Sequence, residues 1–349
     1  MKKIYTEEDI RSSNAYRSDY YASIADFVAA LGDKNAEERK NTVTPEYFAK
    51  NRDSLKKIFV DMLGYPLNKY VYGIPKAERQ YVGEDDYRKI YRVTINTVGK
   101  IKFYGILTLP RREADKYPLL VAQHGGWGSP ELLLDIHEGG NYSHISRIAS
   151  EKGFAVFAPQ LLLWNFTEKD RPNYGDGVKY DRFSVNAYLG QNGGSIIALE
   201  TYNIRKSLDY IMSLDCIDET KVGMLGLSYG GFYTLYTAAS DERIKAAYSC
   251  AAFNDRNRQG CGDWHLHNSN FLLQDAEVAA LCAPRAVFVD VGKNDEVFDY
   301  RYAVKEAERA ESLYNAVGGK GIKFNFWNGG HKIDVNGPYL DKFFNAVNQ

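Results

Sequence analysis

The segment that most constrains this chain is Lys221-Val-Gly-Met-Leu-Gly226-Leu-Ser228-Tyr-Gly230-Gly231-Phe232. Its first half is an apolar run of one strand's length, and the glycines that follow mark a sharp turn into a helix. Glycine at 226 and 230 fits such a turn, because side chains there would crowd the neighbouring strand and helix. A serine at its apex sits on strained backbone that lifts the hydroxyl above the sheet edge, where a base can reach it. The pattern is loose, and a chain with 30 glycines can contain one by accident. The flanking segments decide.

Three of them follow the same plan of a strand running into a polar or glycine-rich turn. Pro284–Gly292 is an apolar strand that breaks into Lys293-Asn-Asp295-Glu296, a loop with two carboxylates. Ile322–Trp327 alternates as a strand and ends in Asn328-Gly-Gly330-His331, a turn presenting one imidazole. Pro118–His124 is a further buried strand, followed by Gly125-Gly126-Trp127-Gly128. Serine, acid and histidine thus occur in that order, each after a strand. A serine hydroxyl is a poor nucleophile at neutral pH and needs an adjacent base, a task suited to an imidazole. Ser228 is therefore the candidate nucleophile and His331 the candidate base.

From about residue 88 to its C-terminus the chain resembles the α/β-hydrolases, most of all the dienelactone-hydrolase and acetylxylan-esterase branch. The resemblance is carried by His124-Gly-Gly, Gly-Leu-Ser228-Tyr-Gly-Gly, Gly-Lys-Asn-Asp295 and Gly-Gly-His331. The same four motifs also occur in peptidases and thioesterases of this fold. The resemblance implies a mostly parallel twisted sheet with helices on both faces. It also implies that the acid lies three residues after the strand-ending Gly292, at Asp295, with Glu296 and then Asp299 as alternatives. One oxyanion donor is expected from the Tyr229 amide, and the other from Gly126 or, after it, Trp127. His124 is expected to hold its loop rather than to react.

Strands read near 118–124, 154–159, 221–227, 244–250, 286–292 and 322–327, separated by helical stretches, give a parallel sheet by their alternation. Two strands joined at Gly99 precede them. Residues 1–85 read as a helical arm packing on the body or on a second subunit, and 86–349 as the catalytic domain. Within the arm, Ala22–Leu31 is a helical segment closed by Gly32, and Asp33–Lys40 an exposed loop. Thr44-Pro45 opens another helix that Gly64 stops. Segments 160–196, with Trp164, Asn165, Phe166, Tyr174 and Tyr180, and 253–275 are expected to form the pocket. Trp127 and Trp264 are candidate substrate contacts, with core packing as the other reading for each.

The net charge of −1 gives no electrostatic case for nucleic acid or an anionic membrane, and no apolar run is long enough to span a bilayer. Four scattered cysteines without C-x-x-C spacing suggest free thiols and a cytoplasmic setting, or a secreted one if a leader has been removed. The expected activity is serine-dependent hydrolysis of a carboxylic ester, a small-molecule or carbohydrate ester, without cofactor or metal, in a chain that forms a homo-oligomer. Two other enzyme readings stand beside it: a prolyl-oligopeptidase-like peptidase, and a metal-dependent hydrolase using Cys261, His265 and His267. A catalytically silent binding protein on the same fold is a third.

Overall fold

The structure, a computed structural model, describes residues 2, 4–163, 181–259, 262–319 and 321–349. Trp164, Asn165, Phe166, Tyr174 and Tyr180 of the first pocket segment, and Cys261 of the second, lie outside the described residues. Two helices open the chain, α1 (Glu7–Thr42) and α2 (Pro45–Leu63), followed by strands β1 (Ala77–Glu84), β2 (Arg88–Asn96), β3 (Lys102–Pro110) and β4 (Tyr117–Gln123). Next come α3 (Pro130–Leu133), α4 (Ile145–Glu151), β5 (Ala155–Pro159), α5 (Arg182–Gln191), α6 (Ile196–Ile211) and β6 (Ile217–Leu227). Then follow α7 (Tyr229–Ser240), β7 (Ala246–Cys250), α8 (Ser269–Leu272), α9 (Asp275–Leu281) and β8 (Ala286–Gly292). The chain closes with α10 (Tyr300–Ala316), β9 (Ile322–Trp327) and α11 (Leu340–Asn348).

One nine-stranded sheet has the order β1-β2-β3-β5-β4-β6-β7-β8-β9. The pairs from β5 through β9 are parallel, while β1, β2, β3 and β5 pair antiparallel. Every residue of β5 and β7 is buried, as strands covered on both faces must be. One face packs Phe48 and Phe59 of α2, Ile204 of α6, Phe232 of α7 and Ala303 of α10. The other packs Leu133 of α3, Ile145 of α4, and Phe343 and Phe344 of α11. Among the described residues no helix is long and apolar enough to cross a membrane.

Two parts of the N-terminal region differ from the sequence reading. The helix expected to stop at Gly32 runs on to Thr42, and the charged stretch Asp33–Lys40 is its last turns rather than a loop. Tertiary contact overrides the roughly 1 kcal/mol cost of an interior glycine. Asn270 Nδ2 donates to the Gly32 carbonyl at 2.8 Å, and the buried Arg39 donates to the Asn270 carbonyl at 2.8 Å and to Glu277 at 3.3 Å. The arm to residue 85 is also not wholly helical, since β1 occupies Ala77–Glu84 and joins the sheet as an edge strand. Most of β1 is exposed, so it lacks the apolar alternation by which a strand is recognised. α2 begins and ends where Thr44 and Gly64 place it: the Thr44 hydroxyl accepts from the Tyr47 amide at 3.2 Å, and Gly64 takes φ 85°.

Candidate functional site

The sheet brings the singled-out turns to one edge. β4, β6, β8 and β9 run parallel, and the segments after their C-terminal ends carry Gly125–Gly128, Ser228, Asp295 and His331, where open α/β sheets bind ligands. Ser228 sits between β6 and α7 with φ 59° and ψ −120°, a strained backbone for a side-chain-bearing residue. Its amide donates to the Cys250 carbonyl at 2.8 Å. The glycines follow from close approach. A Cβ at Gly226 would collide with the backbone of Gly230, and one at Gly230 with the Gln123 carbonyl on β4.

His331 Nδ1 lies 2.9 Å from Asp295 Oδ2 and 3.1 Å from Oδ1. The carboxylate also accepts the Val297 and Phe298 amides at 2.7 and 3.0 Å. Burial pushes the Asp295 carboxyl up, but the histidine and these two amides outweigh it and hold the group below the ordinary carboxylate value. Asp295, rather than Glu296 or Asp299, is the histidine's partner here. Asp299 instead caps α10, accepting the Arg301 amide at 2.9 Å. An aromatic series ties the histidine to the serine turn: His331 stacks on Phe298, Phe298 on Trp264, and Trp264 meets the Tyr229 ring edge-on at 4.7 Å. Among the described residues no hydrogen bond joins the Ser228 hydroxyl to His331, an arrangement common before substrate tightens a site.

The glycine loop lies against the same turn. A Cβ on Gly125 would approach Ser228 Cβ to 3.2 Å, and one on Gly126 the Tyr229 ring to 3.6 Å. The Gly125 amide donates to Tyr142 Oη at 3.1 Å and the Gly128 amide to the Gly125 carbonyl at 3.2 Å. Within the protein the Gly126 and Trp127 amides make no such bond among the described residues. Trp127 has φ 59° and is 71% exposed, placed to meet a ligand from solvent. Trp264 is 1% exposed and stacks between Phe232 and Phe298. It backs the site rather than lining it, which corrects its assignment as a substrate contact. His124 is buried, and desolvation pulls its pKa down to about 4. Its Nε2 accepts the Leu161 amide at 3.0 Å and its Nδ1 faces the Gly125 carbonyl at 2.8 Å, so it holds the loop as a neutral imidazole.

A buried ionic network that the sequence reading missed underlies the turn. Arg182 Nε donates to Asp263 at 2.6 Å, Nη1 to both oxygens of Glu200 at 2.8 and 2.9 Å, and Nη2 to Tyr233 Oη at 2.8 Å. Tyr229 Oη donates to the other oxygen of Asp263 at 2.7 Å, and the guanidinium lies 5.0 Å from the Tyr229 ring centroid. Glu200 is a buried member of this network. These residues lie up to 81 positions apart, beyond any local spacing rule. The only legible signal was the placement of Arg182 and Asp263 in the two pocket segments.

Of the alternative Cys261, His265 and His267 cluster, only the histidines lie among the described residues. His265 Nε2 lies 3.1 Å from the Arg256 carbonyl, Asp263 is bound into the Arg182 network, and no group of three ligating side chains occurs among the described residues. A cleft of about 700 Å³ opens between α2, α5 and the second pocket segment, lined by Met62, Gly64, Asn186, Asp263, His265 and His267 among others. Neither Ser228, Asp295 nor His331 lines it.

Known structures share this fold. A glucuronoyl esterase from Solibacter usitatus matches with a TM-score of 0.60 over 85% of this chain and 92% of its own, at 15% identity. Acetyl xylan esterase 1 from a Thermoanaerobacterium species matches with a TM-score of 0.55 over 86% and 94%, at 17% identity. The chain has the α/β-hydrolase fold. No family model matches it. By sequence it is similar to the uncharacterized Escherichia coli protein YcjY, 29% identical over 147 residues, which are 41% of this chain and 37% of that protein. The uncharacterized peptidase YuxL of Bacillus subtilis is 28% identical over 190 residues, 51% of this chain and 25% of its own. The chain thus spans about two-fifths or less of the curated relatives it matches.

Proposed function

We propose that this α/β-hydrolase-fold chain is a serine-dependent carboxylic ester hydrolase that works through an acyl-enzyme on short acyl esters of sugars. The observation that carries the reading is the Asp295–His331 pair, built at the ends of β8 and β9 beside the strained Ser228 turn. In the first half-reaction Ser228 Oγ attacks the ester carbonyl while His331 Nε2 takes its proton, and Asp295 holds the ring through Nδ1 and stabilises the imidazolium. The amides of Tyr229 and of Gly126, with Trp127 as the alternative, receive the charge on the carbonyl oxygen. The alcohol leaves with the proton from His331. Water then repeats the sequence and releases the acid. The esterase names of the two structural relatives support an ester substrate, and one of them is named for acetyl xylan.

The test is hydrolysis of p-nitrophenyl acetate, butyrate and octanoate by wild type and Ser228→Ala. Acetate-preferring turnover that the substitution abolishes is the expected result, and activity surviving in Ser228→Ala would sink the mechanism. Peptide hydrolysis is the second reading, supported by the likeness to YuxL. Cleavage of a prolyl p-nitroanilide, without turnover of the three esters, would establish it instead.

A further inference from the structure

The first six turns of α1 stand away from the body. Burial along this helix begins only at Gly32, and residues 9–31 are exposed apart from the half-buried Ser13. This projecting stretch is nonetheless apolar on one side. Tyr16, Tyr20, Tyr21, Ile24, Phe27 and Leu31 are all at least 43% exposed except Ile24 at 40%, with Tyr16 at 75% and Phe27 at 67%. At helical spacing these six fall in one arc of roughly 140°, the width of a core-facing stripe. Ile10 and Val28 fall in the same arc, whose charges are Arg17 and, at its N-terminal end, Asp9. The opposite side carries Asp19, Asp26, serines and alanines. Asn35 and Arg39, by which the helix docks on the body, lie along one margin of the same stripe, so the stripe runs off the body without changing face.

We infer that this stripe is the interface with a second copy of the chain, the two α1 helices packing antiparallel about a two-fold axis near Tyr20 and Tyr21. Three features select that occupant. The exposed stripe offers on the order of 1,000 Å² per copy, enough for a standard specific interface. A two-fold crossing at its middle sets Ile10 of each copy beside Leu31 of the other and Tyr16 beside Ile24, so one stripe completes itself. Charge fixes the direction. Residues 7–31 hold five acidic side chains (Glu7, Glu8, Asp9, Asp19, Asp26) against two basic ones (Arg11, Arg17). Antiparallel packing brings the acidic first turn to the end of the other helix where Asp33 and Lys34 offset each other, whereas parallel packing sets acid against acid. The same acidic balance, with no lysine in the stretch, disfavours an anionic lipid surface.

Light scattering after size exclusion on the full chain tests this. Wild type is expected at twice the 39.5 kDa chain mass, and Tyr20→Glu/Phe27→Glu at the single mass with an unchanged melting temperature. Tyr16→Glu/Ile24→Glu, on the same stripe, is expected to do likewise, while Asp26→Ala on the polar side keeps the doubled mass. A wild type of single mass at micromolar concentration overturns the inference. So do stripe variants that keep the doubled mass. A single-mass wild type that co-sediments with phosphatidylglycerol vesicles overturns it in favour of a bilayer.

Discussion

At Asp295 the loop, more than the histidine, sets the geometry. Its carboxylate accepts two backbone amides and is aimed before His331 arrives, so removing its charge should disturb chemistry and leave structure. Asp295→Asn is expected to lower kcat for p-nitrophenyl acetate by roughly 10³–10⁴-fold with a melting temperature near that of wild type. Glu296→Gln should stay within a few-fold of wild-type kcat, because the histidine has no bond to that residue. A folded-state value below 3.8 means that Asp295 stabilises the fold above its unfolded pKa and that the contribution is lost as pH falls through the lower folded value. Neighbouring glycine positions behave oppositely. Gly230→Ala drives a methyl into the Gln123 carbonyl, and the expected outcome is loss of cooperative unfolding by circular dichroism rather than a folded, slow enzyme.

Between elements the Arg182 network joins α5, α6, α7 and the segment before α8. Arg182→Met leaves Glu200 and Asp263 charged and buried without a counter-ion, at a cost of about 3–5 kcal/mol. Urea denaturation should show that loss, with Arg182→Lys intermediate because an ammonium cannot form the two-oxygen bond to Glu200. Strand β8 carries a different electrostatic element. Burial pushes the Asp290 carboxyl up to about 6, against hydrogen bonds from Asn325 and Tyr248. A raised acid is penalised when charged, so its contribution falls as pH climbs from about 4 to about 6 and is constant above. The change is at most about 3 kcal/mol, and Asp290→Asn should flatten denaturation midpoints measured across that range. These couplings were largely illegible in the sequence. Asp295 could be read because it follows a strand-ending glycine, whereas Arg182 and Asp263 obey no spacing that physics imposes.

Over the whole molecule the parallel half of the sheet was the legible part, since buried strands such as Pro118–His124 and Pro284–Gly292 announce themselves by largely apolar runs. The antiparallel edge was harder, because β1 is exposed on most of its length and carries no alternation. Gly32 and the charges after it concealed the full reach of α1, because what keeps that helix going is Asn270 and Glu277, distant in the chain. Trp264 illustrates the same limit within the site: its position in a pocket segment was readable, but its place inside an aromatic stack was not. The Arg182 tie carries a lesson for protein engineering. Substrate range in enzymes of this fold is commonly altered by transplanting loops, yet here one guanidinium bolts both segments expected to form the pocket to the helix that starts at the proposed nucleophile. A donor loop brought in without a matched arginine, glutamate and aspartate would unsettle the Ser228 turn along with the loop it replaces. Selectivity in this scaffold should therefore diversify through exposed positions such as Trp127 sooner than through wholesale loop exchange.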